Sequence, residues 1–236
     1  MGPLNGSEET GSSERSNIVG SPLKNKPRLL QIVGFKNSGK TTLTEMLLRR
    51  AIELGWITSA IKRHGHGGVP DLPPAGTDSS RLFETGAASS IVSGGGVMLL
   101  QGRQQPEESE GLDPLIRLTK AYASPDLILI EGFKEEPYPK IVLLRSLEDW
   151  RELHRLNHIG LVVVADHTLA KLLMGESAYG RSVHGHPGHN HPVDGAASNV
   201  DLPPVDAAIS ILSREQTEDI TAWFTTWLEG GNDESL

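Results

Sequence analysis

The stretch GFKNSGKT at residues 34–41 constrains this chain more than any other. It matches the pattern GxxxxGK[ST], and each fixed residue type has a physical reason. Glycine lets backbone N–H groups approach phosphate oxygens, Lys40 supplies an ammonium to the β and γ phosphates, Thr41 offers a hydroxyl to Mg²⁺, and the helix that opens there presents its positive end. Gly34, Asn37, Ser38, Gly39 and Thr42 complete the predicted cradle. Such a loop needs a buried strand before it and a helix after it. Leu29, Leu30, Ile32 and Val33 form the short apolar run of a parallel strand. Leu43, Met46, Leu47, Ala51 and Leu54 then recur on one helical face, and a second strand at 57–61 makes the opening a βαβ unit.

Farther along, a Gly/Pro-rich loop at 65–76 leads to Thr77 or Asp78, either of which can cap a short helix ending at Glu84. Strand candidates at 90–93 and 97–101 flank Gly94, Gly95 and Gly96 as a hairpin would. A helix at 114–122 precedes three β-rich runs at 127–130, 141–144 and 159–164. In the last helix Ser213 and Gln216 match a capping box, and Ile220, Trp223, Phe224, Trp227 and Leu228 make an apolar stripe. Strands alternating with helices predict an α/β fold: an open, mostly parallel sheet of P-loop NTPase type with helices on both faces. Residues 28–229 are read as that one domain. Segment 1–27 has too few large apolar side chains to offset its ordering entropy and is expected to be a disordered tail, with 230–236 a second tail. Segment 175–204 carries His184, His186, His189 and His191, is too long for an ordinary connection, and reads as a flexible His-rich insertion.

Composition narrows the partners. The 22 Lys plus Arg stand against 30 Asp plus Glu, a net charge of −8 that argues against general affinity for nucleic acid. No apolar run approaches the roughly 18 residues of a membrane span, and residues 1–20 have no apolar signal-peptide centre, so neither membrane insertion nor secretion is expected. The absence of Cys excludes disulfides, thiolate metal sites and Cys nucleophiles, and fits a reducing, cytoplasmic setting.

A triphosphate site also needs a carboxylate near Mg²⁺, normally at the end of an apolar strand beside the first. Glu131 stands at that place after 127–130, where the alternative is a charge simply leaving a strand. Asp78 is a second metal candidate, for which an N-cap role serves equally well. Asp166, after the late strand, is placed either to accept hydrogen bonds from a guanine edge or to cap a turn. Lys62, Arg63, His64 and His66 cluster after the second strand, as an anion or phosphate contact or as a solvated basic turn. The four-His segment suits Zn²⁺ or Ni²⁺ through neutral imidazoles, or is a passive linker.

Several blocks together resemble the molybdopterin-guanine dinucleotide biosynthesis adaptor family, MobB, among the phosphate-binding-loop GTPases. They are GFKNSGKTTL at 34–43, IKRHGHGG at 61–68, TDSSRLFETGA at 77–87 and, most specific, DLILIEGFKEEPYPKIVL at 126–143. The resemblance implies GTP and Mg²⁺ as ligands, weak hydrolysis and a homodimer. It also implies service to the guanylyltransferase that joins a guanine nucleotide to molybdopterin, and to other molybdenum cofactor biosynthesis proteins. It places the family's phosphate loop on residues 34–42, its basic segment on 62–66 with Lys62, His64 and His66 as an anion or pterin contact, its Asp-Ser helix start on Asp78 and Ser79, and its acidic strand end on Glu131. The family block Gly-Lys-Asp-Ser stands here as Gly76, Thr77, Asp78 and Ser79, so no role of that Lys carries over, and nothing carries over to the His-rich insertion. Two other classes compete: a nickel- or zinc-handling metallochaperone GTPase, whose usual Cys-x-His site this chain lacks, and a P-loop small-molecule kinase, whose acceptor base and Arg-rich lid do not stand out.

Overall fold

The computed structural model describes residues 26–65, 70, 76–104, 111–175 and 202–230. The predicted tails, apart from residues 26, 27 and 230, lie outside the described residues, as do His66 and the four His of the insertion. In chain order the elements are β1 (Arg28–Gly34), α1 (Lys40–Glu53), β2 (Thr58–Lys62), α2 (Asp78–Glu84), β3 (Ser89–Gly94), β4 (Val97–Gly102) and α3 (Asp113–Ala123). There follow β5 (Leu127–Glu131), β6 (Lys140–Leu144), α4 (Leu147–Leu153), β7 (Ile159–Val164), α5 (His167–Leu173), β8 (Ser210–Ser213) and α6 (Thr217–Glu229). Six strands form one parallel sheet in the order β2-β5-β1-β6-β7-β8, while β3 and β4 pair antiparallel as a separate ribbon around the predicted glycine turn.

Alternation along β1 explains the layers. Leu30 and Ile32 point to one face, where Leu43, Leu47 and Ala51 of α1 and Ile220, Phe224 and Leu228 of α6 cover them. Val33 faces the other way, toward Trp150 and Leu153 of α4 and Leu169 and Ala170 of α5. Leu29 packs on that second face beside Ile116 of α3 and Phe133. Because both faces are covered, every residue of β5 and β6 is buried. Helix α1 thus leaves β1 on one face and α4 leaves β6 on the other. Between two such strands an open α/β sheet has a crevice at its carboxyl edge.

The connection from β5 to β6 steps over β1 without a helix, although parallel crossovers ordinarily need roughly a dozen residues or more. Register makes the short step feasible. Glu131, the last residue of β5, pairs with Ile32, and Lys140, the first of β6, pairs with Gln31, so the two ends lie nearly level across β1. Segment 132–139 crosses the second face, where Gln31 Nε2 donates to the carbonyls of Gly132 (3.2 Å) and Phe133 (2.5 Å). Lys140, although 1% exposed, donates through Nζ to the carbonyls of Glu136 and Tyr138. Gly132 sits at φ +98, and a Cβ there would come within 3.0 Å of the Arg63 Cβ, so the turn out of β5 requires glycine. This crossover gives Gly132 and Lys140 of the 126–143 block a physical reason.

Three elements lie outside the sequence expectation. Helices α4 and α5 are each about two turns, too short for a helical period to declare itself, and β8 brings only Ile211 and Leu212 to the sheet edge. The predicted capping box is displaced. Ser213 ends β8, and Gln216 Oε1 accepts from the Ser213 N–H at 2.9 Å, so the pair closes the turn before α6 and the helix starts at Thr217. No helix among the described residues is long and apolar enough to cross a membrane.

Burial pushes the Lys140 ammonium down to about 8. The unfolded chain therefore holds this proton more tightly than the fold does, and the contribution of Lys140 to stability increases as pH rises from about 8 toward its ordinary value near 10.4. Lys140→Met strands two carbonyls and should lower stability by about 1–3 kcal/mol. Urea midpoints at pH 7.5 and 9.5 should show a larger loss at the higher pH; a gap that shrinks would contradict a charged, desolvated Lys140.

Candidate functional site

The motif folds as its residue types require. Gly34 ends β1 where a Cβ would lie 2.7 Å from Ser38 Oγ and 2.8 Å from the Leu143 carbonyl, so no larger residue fits. The loop reverses through Asn37 at φ 61 and enters α1 from Gly39 at φ 92, leaving the first N–H groups of α1 open to the crevice. Lys40 folds back and donates to the Phe35 carbonyl at 2.7 Å. Its ammonium is held below the ordinary lysine range by burial and by repulsion from Lys62 and Arg145, which together outweigh the attraction of Glu131. Ser38 Oγ is buried without a hydrogen-bond partner among the described residues, which suits an acceptor arriving with a ligand.

Glu131 reaches the loop from β5. Thr41 Oγ1 lies 3.1 Å and 3.0 Å from its two carboxylate oxygens, with the Glu131 side chain 10% exposed. Lys62, in register with Glu131 on the neighbouring strand, donates to Thr41 Oγ1 at 3.0 Å and lies 3.2 Å from Glu131 Oε1. A hydroxyl and a carboxylate are hard oxygen donors of the kind Mg²⁺ takes, and Mg²⁺ is commonly held by one or two carboxylates plus substrate phosphates. Among the described residues no group of three or more His, Cys, Asp or Glu is placed to hold a metal alone. The donor set therefore fits Mg²⁺ brought by a nucleotide, which Thr41 and Glu131 would hold.

Sequence reasoning missed a clamp on the loop. Arg145, just after β6, makes a two-pronged ion pair with Asp149, Nε to Oδ2 at 2.9 Å and Nη2 to Oδ1 at 2.8 Å. Its remaining prong, Nη1, donates to the Lys36 carbonyl at 3.0 Å, and the guanidinium lies 5.4 Å from the centre of the Phe35 ring. A cavity of about 230 Å³ adjoins the loop on the α1–α6 side, lined among others by Ser38, Gly39, Thr42, Met46, Arg214 and Thr217. No local motif marks Arg145, Arg214 or Thr217.

The other predicted residues are placed as follows. Asp166 caps α5, its Oδ1 accepting from the Leu169 N–H at 2.9 Å. Asp78 opens α2 behind the Thr77 cap; its carboxylate is 98% exposed, 3.8 Å from Arg81 and out of contact with Thr41 and Glu131. His64 is exposed just beyond β2.

A parallel sheet whose first strand runs through GFKNSGKT into a helix, with a strand-end carboxylate bonded to the motif's Thr, defines an α/β protein of the P-loop NTPase type. The family model for MobB, molybdopterin guanine dinucleotide synthesis protein B, matches residues 29–167, and the chain belongs to that family. It is 40% identical over 136 residues to the probable molybdopterin-guanine dinucleotide biosynthesis adapter protein of Bacillus subtilis strain 168, covering 57% of this chain and 75% of that protein. The corresponding adapter protein of Haemophilus influenzae is 33% identical over 147 residues, 62% of this chain and 79% of its own length. The crystal structure of Bacillus subtilis MobB superposes with a TM-score of 0.56 at 28% identity, covering 87% of this chain and 99% of that one.

The Asp149 carboxyl lies below the ordinary carboxylate range, chiefly because of its hydrogen bond from Arg145. Its stabilisation is thus present above the unfolded value near 3.9 and is lost as pH falls through the folded value. Asp149→Asn should destabilise the fold by about 1.5–3 kcal/mol at pH 7, and the difference from wild type in thermal melts should begin to close as pH falls below about 4. An equal difference at pH 7 and well below pH 4 would show that the ion pair does not stabilise the fold.

Proposed function

We propose that this chain binds GTP with Mg²⁺ on the 34–42 loop and serves as an adapter in molybdopterin guanine dinucleotide synthesis. In that role it presents the nucleotide or a nucleotide-dependent surface to the guanylyltransferase. The observation that carries the nucleotide reading is the Thr41–Glu131 pair set beside the open N-terminus of α1. The adapter role follows from membership of the family and from what the curated relatives are named. When bound, Mg²⁺ would neutralise phosphate charge, and Lys40 would turn from the Phe35 carbonyl to the phosphates. Glu131 is the one carboxylate in contact with Thr41 among the described residues, and a carboxylate whose charge is engaged by a metal is a weak base toward water. That argues for slow hydrolysis.

The cavity against Ser38, Gly39 and Thr42 is the natural seat for the base. Arg214 on its wall offers only N–H donors, which suit O6 and N7 of guanine and mismatch the N6 amine of adenine. Asp166 already has one oxygen committed to its cap.

A homodimer is supported by the β3–β4 ribbon. Ile91 is 60% and Val97 73% exposed, and the cross-strand pairs Ile91–Leu100 and Val92–Leu99 leave apolar side chains on both faces. A two-stranded ribbon is marginal alone, and a second copy would cover it.

Lys40→Ala should weaken GTP binding about tenfold to a hundredfold in fluorescence titration while the melting curve stays in place. Unchanged titration would remove the loop from nucleotide binding. In GTP against ATP competition, Arg214→Ala should reduce the preference about tenfold and Asp166→Asn should not; the reverse result would move base reading to Asp166. Val97→Asp with Leu99→Asp should sediment as a monomer, and a persistent dimer would place the interface elsewhere.

A further inference from the structure

We propose that Lys62 is a built-in occupant of the divalent-cation seat: its ammonium holds Thr41 and Glu131 in place until Mg²⁺ enters, and then gives up that position. The inference rests on the nucleotide reading above and adds a residue that competes with the metal. Lys62 Nζ lies 3.0 Å from Thr41 Oγ1 and 3.2 Å from Glu131 Oε1, the same two side chains whose oxygens suit Mg²⁺. An ammonium directs its N–H groups at the lone pairs that a divalent ion needs, so the two cations cannot share these oxygens.

The pair is asymmetric in a way that fits exchange. Glu131 is nearly enclosed at 10% exposure, so leaving it unpaired is unfavourable, whereas Lys62 is 58% exposed and can return to water readily. Lys62 therefore keeps the carboxylate compensated and correctly placed at modest cost to later metal entry. The contact also links two parts of the fold. Lys62 ends β2, and its head group ties that strand end to the first turn of α1; the Arg63 N–H after it bonds to the Glu131 carbonyl at 2.9 Å. Loss of the Lys62 contact on metal entry leaves that backbone bond in place and frees the side chain at the rim of the crevice. A partner protein touching the strand end would then meet a different charge arrangement in the metal-loaded state.

The test uses the full chain with GDP and Mn²⁺ as the metal probe, read by the loss of the free-ion electron paramagnetic resonance signal. Lys62→Met should lower the Mn²⁺ Kd about threefold to tenfold, because a competing ion pair of modest strength has been removed. Lys62→Arg, which keeps a cation there, should stay near wild type. Lys134→Met is the charge control, since Lys134 lies 5.7 Å from the centre of the Phe35 ring and is not part of the Thr41–Glu131 contact. Its Mn²⁺ Kd should change by less than about twofold. If Lys62→Met fails to melt cooperatively, Lys62→Gln carries the same expectation. An unchanged or weaker Mn²⁺ Kd in a folded variant that still binds GDP without metal overturns the proposal, as does equal tightening in Lys134→Met. If wild type itself takes up no GDP, the nucleotide reading fails first and this inference falls with it.

Discussion

The crossing of segment 132–139 over β1 is the constraint on which the rest of the arrangement depends. It allows β5 and β6 to flank the strand that carries the phosphate loop. Because the two strand ends lie level, Glu131 finishes β5 beside Ile32 and β6 runs on to place Arg145 past the loop. One flank supplies the carboxylate that bonds Thr41, and the other supplies the guanidinium that holds the Lys36 carbonyl. Gln31 and Lys140 make the crossing possible by giving inward-turned carbonyls buried donors. These two side chains sit on a mainly apolar sheet face, with Gln31 and Lys140 at 0% and 1% exposure. An apolar residue at either place would raise local hydrophobicity and leave carbonyls unpaired, and the second effect is the larger in a dry setting.

What was legible in the sequence was local. The phosphate loop shows because its chemistry demands particular residues at fixed spacing, and the flanking strand and helix show because their apolar periods differ. The ribbon of β3 and β4 was marked by its glycines, and the parallel sheet by alternation of element types. Strand order was not legible, and every contact that depends on it was hidden. Lys62 and Glu131 are far apart in the chain and meet because β2 lies next to β5, so the contact between the first member of the basic segment and a buried carboxylate had no local signal. Arg145 and Asp149 carry no pattern that sets them apart from any exposed pair one helical turn apart. Asp166 illustrates a different difficulty: a carboxylate after a strand fits both a base contact and an N-cap, and the short α5 that it caps has too few apolar positions to be seen in advance.

The charge arrangement bears on the proposed nucleotide binding. A chain of net charge −8 concentrates Lys40, Lys62 and Arg145 around one loop, which gives an anion-attracting crevice on an acidic body. Each cation already has an internal partner: Lys40 the Phe35 carbonyl, Lys62 the Glu131 carboxylate, Arg145 the Asp149 carboxylate. On the proposed function, ligand binding would be an exchange of partners for at least the first two, and only the difference between internal and external contacts would contribute to affinity. A loop of bare cations would gain the full interaction and release its ligand slowly. Exchange keeps the loop preorganised without nucleotide and the net binding energy moderate, and moderate binding is what a protein needs if it must pass a nucleotide, or a surface shaped by one, to another protein.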